Sequence, residues 1–509
     1  MSEFQPSLFF PSPDDASHAQ VTPSITDGHI DVDQSSADEQ AVNLKRSNVD
    51  ESSARGVGVT FCKLFDAGRW VWGNWWDARF QGTLPLALSA RIPLEVFMLI
   101  IDAIEYQPTF AAVALVCATW YRRAMHKLYY DLEIRSRTSY NMLFKHCRAS
   151  PRVKQWLATT CKLVVDGGCN RTAYYYGKNK SNVDNSFLQA LPSALVGLVP
   201  RVRILHIENG RLCFIRTDFF LALSRFKSVK SLTLQGCKLH SITQLWRIVS
   251  AFPQLTDISI NVRIAQQDAA GSHAGASFLR TPSHMRLRYL DIFVHEECMA
   301  MFVDWMARSC LCTSLADLTF RCAYPSMART SLNKLLEAAG ASLSCYCQTC
   351  YFPNGPMGHG DLSQNTALQS LDFGLNDISY DTRYSPQLGP GAAWTTATYE
   401  LRSIFSAIRS RQLEHIKVQA HVRIGDIILD HEQPSAVLDE LNQWDLHEVM
   451  SEPYFDKLKD VEVKMDLYPQ TNQTVLHKDT VGQKLQAMFH AIFQPWSARG
   501  IVNVTWVRG

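Results

Sequence analysis

An excess of charge of one sign, long apolar runs and a secretory leader are all lacking in this sequence. Its 50 Lys and Arg residues nearly balance 48 Asp and Glu residues, so no overall field attracts nucleic acid or anionic lipid. The run Val96 to Ile101 is bounded by Glu95 and Asp102, far short of the roughly 20 apolar residues of a membrane span. The first ten residues do not join a basic start to an apolar stretch. We therefore expect a soluble intracellular protein, cytoplasmic or nuclear, that binds neither nucleic acid nor membranes.

Motifs that carry catalytic chemistry are also lacking. The sequence contains no Gly-x-x-x-x-Gly-Lys-Ser/Thr phosphate loop and no Gly-x-Ser-x-Gly nucleophile elbow. His295-Glu296 and His431-Glu432 are not followed by the second histidine of a zinc-peptidase helix. These absences predict a protein that is not an enzyme and uses no cofactor. An enzymatic alternative would have to depend on the irregular region 340–400.

Cysteine occurs 14 times, but the spacing is irregular and most copies stand in apolar runs. We expect free thiols rather than a disulfide framework. One cluster has spacings short enough to raise the possibility of a zinc site: Cys310, Cys312, Cys322, Cys345, Cys347 and Cys350. Because Cys345 and Cys347 occupy apolar positions of the repeat described below, we interpret them as small buried hydrophobic residues and predict that no metal binds.

The N-terminal region divides into an acidic segment and an aromatic segment. Residues 1–56 hold ten acidic and three basic residues among Ser, Pro and Gln, a composition that cannot offset the entropy of folding. We predict a disordered tail over residues 1–60. Residues 61–90 contain four tryptophans between Trp70 and Trp76. We interpret this stretch as an arm packed on the folded part of the chain, and the alternative is a peptide-docking motif.

Residues 91–136 have the apolar spacing of a small helical module. Pro93 is typical of the first helical position, and Glu95 is favoured near the positive end of a helix. The first predicted helix has two apolar stripes, one formed by Val96, Leu99, Ile100 and Ile104 and the other by Phe97 and Ile101. A second apolar series runs from Phe110 to Tyr129. A module of this size needs partners for its apolar surface.

The order of these residues resembles an F-box. That family has the pattern Leu-Pro-x-Glu, then spaced aliphatic residues, then Val-Cys-x-x-Trp. This sequence has Ile92-Pro93-Leu94-Glu95 and Val116-Cys117-Ala118-Thr119-Trp120. It departs from the pattern in Ile92, where leucine is usual, and in Ala118-Thr119, where basic or polar residues are common. The resemblance covers about one tenth of the chain.

The resemblance implies docking on a Skp-type adaptor and, through that adaptor, on a cullin. Binding would bury apolar surface that the small module cannot bury alone. The implied adaptor-binding residues are Ile92, Pro93, Leu94, Val96, Ile100, Leu115, Val116 and Trp120.

Over residues 155–509 a second pattern recurs, apolar-x-x-apolar-x-apolar. Its copies are Val202 to Ile207, Val229 to Leu234, Leu255 to Ile260, Leu287 to Ile292, Leu315 to Phe320, Leu368 to Phe373, Leu413 to Val418 and Leu458 to Val463. Between Leu205 and Leu371 the spacing is 26 to 32 residues if a weak copy at Cys345-x-Cys347 is included. A short strand and a helix at this period are typical of leucine-rich repeats. We predict an α/β fold, an irregular leucine-rich-repeat solenoid with insertions such as Gln266 to Arg286 and Ser385 to Thr396.

In each copy, the residue between the last two apolar positions must point to the opposite face of the strand. These residues are His206, Thr233, Ser259, Asp291, Thr319, Tyr346, Asp372, Lys417 and Glu462. None is aliphatic. The pattern predicts a parallel sheet with helices on one face and a polar concave face on the other. We predict that this face binds a target protein, and the alternative is that these side chains are merely solvated.

An F-box followed by a leucine-rich solenoid is the arrangement of substrate receptors in Skp-cullin-F-box ubiquitin ligases, and large fungal sets of such receptors are similar to this sequence. The resemblance implies a non-catalytic role, in which the solenoid presents a target for ubiquitin conjugation. The alternative is a stand-alone scaffold whose N-terminal helices cap the solenoid. The two differ in whether the chain itself covers the second apolar face of the helical module.

Overall fold

The computed structural model describes residues 92–104, 106–168, 186–213, 215–265, 285–295, 297–323, 325–350, 358–375, 378–379, 390–424, 444–469 and 478–508. The predicted acidic tail 1–60 and Trp-rich arm 61–90 lie outside these residues, as does most of the predicted insertion Gln266 to Arg286.

Helices and strands alternate along the described chain. The helices are α1 Leu94–Asp102, α2 Gln107–Ala114, α3 Ala118–Tyr130, α4 Arg137–Ala149, α5 Pro151–Leu157, α6 Ser186–Leu195, α7 Thr217–Leu223, α8 Ile242–Ser250, α9 Glu297–Arg308, α10 Pro325–Ala339, α11 Pro390–Ala407, α12 Trp444–Met450, α13 Lys478–Ile492 and α14 Gln494–Ser497. The strands are β1 Asp131–Ile134, β2 Lys162–Asp166, β3 Ile204–Glu208, β4 Ser231–Leu239, β5 Asp257–Ile264, β6 Tyr289–Val294, β7 Asp317–Cys322, β8 Cys345–Cys350, β9 Ser370–Gly374, β10 Ile378–Ser379, β11 His415–Ile424, β12 Asp460–Pro469 and β13 Val502–Arg508.

The strands form one sheet in which sequence order is spatial order. Strands β1 to β9 and then β11 to β13 follow one another, and the short β10 pairs with β11. The pairings are parallel, and the apolar positions of neighbouring strands stand opposite each other, as Leu163, Leu205 and Leu232 do. The predicted α/β fold with a parallel sheet is therefore confirmed in its architecture, which is solenoid-like.

Alternation along the strands puts the core on one face of the sheet. In β5, Ile258, Ile260 and Val262 are fully buried, whereas the residues between them are partly exposed. The buried strand residues join the buried sides of the helices, such as Leu245 and Val249 of α8, in one hydrophobic cluster. The helices therefore lie on the apolar face, and we call the opposite face the open face.

The sheet begins earlier and ends later than the repeat pattern predicts. Strand β1 lies inside the predicted helical module 91–136 and pairs with β2. Tyr129, Leu132 and Ile134 do have the repeat spacing, but Tyr129 also belongs to the apolar series of α3, which conceals the strand in the sequence. At the other end, β13 extends the sheet past the last predicted copy.

Strand β8 differs from its predicted register by one residue. Tyr346 stands opposite Leu318 in the core row and is 3% exposed, so its predicted position on the open face is wrong. Cys347 takes that position instead, and neither Cys345 nor Cys347 is fully buried. The core side chains of β8 are polar: the Tyr346 hydroxyl donates to Gln348 Oε1 at 2.7 Å. This hydrogen bond compensates the two polar side chains for the loss of contact with water. A shift of the register by one residue moves every side chain of the strand to the opposite face of the sheet.

We predict that Tyr346→Glu lowers the free energy of unfolding by at least about 3 kcal/mol, because it would bury an unpaired carboxylate. The matched control is Thr233→Glu, which places the same charge on the open face and is expected to cost less than about 1 kcal/mol. Urea denaturation measures both. Equal effects of the two substitutions would contradict the observed register of β8.

Candidate functional sites

The first three helices form a small core of their own. The side chains of Ile101, Phe110, Ala114 and Ala124 are buried together between α1, α2 and α3. Of the two apolar stripes predicted for α1, the one with Ile101 faces this core. Helix α1 begins at Leu94, with Pro93 just before it rather than at the first helical position.

The same helical module is attached to the start of the sheet. Met125 and Leu128 of α3 pack against both the small core and the large core. Gln107 donates through Nε2 to the backbone oxygens of Leu128 at 3.2 Å and Asp131 at 2.9 Å. These bonds satisfy carbonyl groups at the end of α3, which would otherwise lack helical partners. The module thus covers the N-terminal end of the repeat core with one side.

The other side of the module carries large apolar side chains in solvent. We call them the exposed apolar set: Leu94, Val96, Leu99, Ile100, Leu115 and Val116, which range from 41% exposed at Val96 to 68% at Leu115. The first four lie on α1 and the last two in the turn after α2. Soluble monomeric proteins rarely expose so many large apolar side chains together.

Five of the eight residues predicted to bind an adaptor belong to this exposed apolar set. Pro93 is also exposed, whereas Ile92 and Trp120 are partly buried. The Trp120 ring packs on Phe97 with a centroid distance of 5.0 Å, so it supports α1 as well. Leu99 was not among the predicted binding residues, although its place in the stripe of Val96 and Ile100 could have identified it.

An ion-pair cluster joins α1 to α3. Asp102 accepts a hydrogen bond from Arg123 Nε at 2.9 Å and a second, shorter one from Nη2, and Lys127 Nζ lies 3.3 Å from Asp102 Oδ1. The hydrogen bond from Arg123 is the main reason that the pKa of Asp102 lies below its ordinary value. The cluster fixes the exposed stripe of α1 relative to α3.

The open face brings most of the predicted target-binding residues into one row. Neighbouring strands align these side chains in direct register. The row reads His206, Thr233, Ser259, Asp291, Thr319, Cys347, Asp372, Lys417 and Glu462, with Cys347 in place of Tyr346. All of them are partly buried, so the open face is only half in contact with solvent.

The centre of the row is a charged cluster around Asp291. Arg321 binds both carboxylate oxygens of Asp291, with its Nη2 2.6 Å from each, and Ser259 Oγ donates to Oδ2 at 2.9 Å. Burial, and then the charge of Asp291, raise the pKa of Asp317 on the next strand. Sequence reasoning missed Arg321, although it stands two residues after Thr319 and must share its face.

A second cluster lies around Asp372. Lys417 Nζ is 3.1 Å from Asp372 Oδ2, and Gln419 donates to Oδ1 at 3.0 Å. Burial disfavours the charged form of Lys417, but the hydrogen bond and the charge of Asp372 outweigh it and raise the pKa of the lysine. Burial, followed by the charge of Asp372, raises the pKa of the Cys347 thiol to about 12. This thiol is therefore a poor nucleophile at neutral pH.

At each end of the row, a side chain contacts a polar neighbour on its own strand. His206 Nε2 lies 3.2 Å from Glu208 Oε1, and Lys464 Nζ lies 3.2 Å from Glu462 Oε1. Burial lowers the pKa of His206, and the charge of Glu208 opposes this effect. The open face is thus a surface of internally paired charges, with no single sign.

The predicted cysteine cluster is dispersed over both faces of the sheet. Cys312 and Cys322 are buried in the core, whereas Cys345 and Cys347 lie on the open face. Burial raises the pKa of Cys312 to about 12. Within the described residues, no group of three or more His, Cys, Asp or Glu side chains is arranged to hold a metal ion.

Among the described residues of the irregular region 340–400, a histidine and a glutamate form a buried pair. His359 Nε2 contacts Glu400 Oε1, and the two side chains are 8% and 5% exposed. The His359 ring packs against Phe373 with a centroid distance of 5.8 Å. The pair ties the segment before β9 to helix α11, which includes residues of the predicted insertion Ser385 to Thr396.

Comparison of the sequence with protein-family models gives no match, and a search among curated proteins likewise gives none. Within the described residues, every helix falls short of the length and apolar character that a membrane span requires.

We predict that Leu99→Ser and Leu115→Ser each change the free energy of unfolding by less than about 0.5 kcal/mol, because both side chains are exposed. The buried neighbour Ile101 serves as the control, and Ile101→Ala is expected to cost about 2–5 kcal/mol. Urea denaturation measures all three. A loss at Leu99 as large as that at Ile101 would mean that the chain covers this surface in solution.

The Asp102 cluster predicts a pH dependence of stability. A folded-state pKa below the ordinary value stabilises the fold above the ordinary aspartate pKa of about 4, and this contribution is lost as the pH falls through the folded value. Because the partners are partly exposed, Asp102→Asn should cost less than about 1 kcal/mol at pH 7. The difference from the wild type should shrink towards zero near pH 3 in urea titrations. The exposed Asp456→Asn is the control, and a difference that persists at low pH would contradict this ionic origin.

Proposed function

We propose that this protein is a non-catalytic substrate receptor that links a target protein to a cullin-RING ubiquitin ligase through a Skp-type adaptor. The observation that carries the proposal is the exposed apolar set on a helical module whose other side packs on the sheet. Five of its members, such as Leu94 and Leu115, are residues that the F-box resemblance implies as adaptor contacts. In this proposal the helical module is an F-box and the sheet domain an irregular leucine-rich-repeat solenoid.

The exposed apolar set can supply the free energy for binding a partner. Six large apolar side chains in water give a partner a hydrophobic driving force of about 25 cal/mol for each Å² that it covers. Such side chains, set in the centre of an interface, are the ones that dominate binding energy. The ion pair of Asp102 with Arg123 and the packing of Phe97 on Trp120 hold α1 in place before a partner arrives, which lowers the entropic cost of binding.

The mechanism in this proposal is proximity. The adaptor would hold the module while the open face holds a target, so that target lysines stay near the activated ubiquitin at a high effective concentration. The row from His206 to Glu462 offers polar, half-buried side chains along the strands for such a contact. The receptor supplies binding and orientation only.

The attachment of the module also favours a second candidate, a stand-alone repeat scaffold. Met125 and Leu128 join the two cores, and Gln107 bonds to the start of β1, as expected of a cap on the solenoid end. A cap requires one covered side only. The receptor proposal explains why the other side of the module is apolar and exposed, whereas the scaffold proposal does not.

We predict that the full-length chain forms a 1:1 complex with a Skp-type adaptor on size-exclusion chromatography. Leu94→Glu together with Leu115→Glu should weaken adaptor binding by about 30-fold or more in calorimetry, because both charges would enter an apolar interface. Exposed positions are preferable to Trp120, since its replacement would also remove packing from Phe97.

The matched control is Leu221→Glu, since Leu221 of α7 is 64% exposed and lies outside the module. This control should bind the adaptor as the wild type does. If the wild-type chain is monodisperse and elutes apart from the adaptor, the receptor proposal is wrong and the scaffold candidate is favoured.

A further inference from the structure

The loops that lead into strands β3, β4 and β6 carry six exposed cations at one end of the sheet. We call them the basic rim: Arg201, Arg203, Lys227, Lys230, Arg286 and Arg288. They precede the first residues of the three strands, so they gather where these parallel strands begin.

Backbone hydrogen bonds place the central members of the basic rim in one row. Lys230 N–H donates to the Arg203 oxygen at 2.8 Å, Thr256 N–H to the Lys230 oxygen at 2.8 Å, and Arg288 N–H to the Thr256 oxygen at 2.7 Å. Each step is one strand spacing of about 4.8 Å, so the row from Arg203 to Arg288 spans about 14 Å. The Ser228 hydroxyl donates to the backbone oxygens of Pro200 and Val202, which fixes the first two loops against each other.

The cations of the basic rim are not ion-paired. Within the described ranges none of the six forms an ion pair, although the Asp257 carboxylate stands at the start of β5, between the strands that follow Lys230 and Arg288. The same row reaches Glu414 and Lys459 further along the sheet, and there the lysine Nζ lies 2.7 Å from the Glu414 carboxylate. Two cations of the open face, Arg321 and Lys417, also have carboxylate partners. The rim cations therefore repel one another, and an external anion bound between them would relieve this repulsion.

The position of the basic rim favours a polypeptide as that anion. Each rim residue in the row directly precedes a residue of the open face: Ile204, Ser231 and Tyr289 follow Arg203, Lys230 and Arg288. The rim therefore borders the edge of the open face at which these strands begin. Asp257 and Asp317 stand at the corresponding first positions of β5 and β7. These carboxylates would repel a uniformly charged nucleic-acid backbone, whereas a peptide can place its acidic side chains between them.

We propose that the basic rim binds an acidic, Asp/Glu-rich segment of the target protein that lies on the open face. This inference rests on the proposed function, because it names the chemistry by which that target is chosen. An extended segment of about five residues matches the length of the row, at about 3.3 Å per residue. Carboxylates at alternate positions meet the side chains of Arg203, Lys230 and Arg288.

The test measures binding of a fluorescein-labelled peptide of alternating Glu and Ser residues to the full-length chain by fluorescence anisotropy. A peptide with Gln in place of Glu is the reference. The triple variant Arg203→Glu, Lys230→Glu and Arg288→Glu should weaken binding about tenfold or more, and wild-type binding should weaken as salt is added. Lys230→Glu alone should weaken binding about threefold. The matched control Lys459→Glu makes the same charge change at a paired position and should have less than a twofold effect.

Three results would overturn the inference. The first is equal binding of the Glu and Gln peptides, and the second is an equal loss for Lys230→Glu and Lys459→Glu, which would indicate a general charge effect. The third is tighter binding of a single-stranded oligonucleotide that the triple variant abolishes. Adaptor binding separates the two proposals. The triple variant should bind the adaptor as tightly as the wild type does. If the wild-type chain binds the peptide but does not bind the adaptor, only the receptor function is contradicted.

Discussion

One row of buried side chains, repeated in register on strands β1 to β9, β11 and β12, is the constraint on which this structure depends. Each strand places its first core residue opposite that of its neighbours, from Leu132 of β1 to Val461 of β12. Since side chains alternate along a strand, this register decides the face of every other strand residue. The bulge at Gly236, which has a positive φ of 64°, shifts the register of β4 and returns Cys237 to the core beside Val262.

The buried row also explains why the chain needs a module at its start. A stack of strands and helices leaves its last apolar surface open at each end. At the first end, α3 leads directly into β1, and its residues Met125 and Leu128 belong to both cores. The cost of this arrangement is a second apolar surface on α1 and the turn after α2. That surface is what makes the module a candidate for a partner.

The carboxylates at the centre of the open face have cationic partners, whereas the cations of the basic rim have no ion-pair partner among the described residues. Asp291 and Asp372 are each held by a cation and a neutral donor, Ser259 in one case and Gln419 in the other. Half-buried carboxylates require such partners, so the first role of these clusters is to stabilise the sheet. The rim cations are exposed, so water and salt screen their mutual repulsion and the fold tolerates them without ion-pair partners. A surface for an anionic partner can therefore persist there at a small cost to the fold.

The sequence by itself determined the parallel α/β architecture, the order of most strands and the apolar stripes of α1. All of these follow from local periodicity, in which a side chain's face depends on its position along one strand or helix. Only the tertiary structure decided which stripe of α1 stays exposed. Both stripes are apolar, and packing buries the one with Ile101. It also decided the register of β8, where Tyr346 and Gln348 replace aliphatic residues and each supplies the other's hydrogen bond. The alignment of Arg203, Lys230 and Arg288 required the fold as well, because residues far apart in sequence meet only through the hydrogen bonds of the sheet.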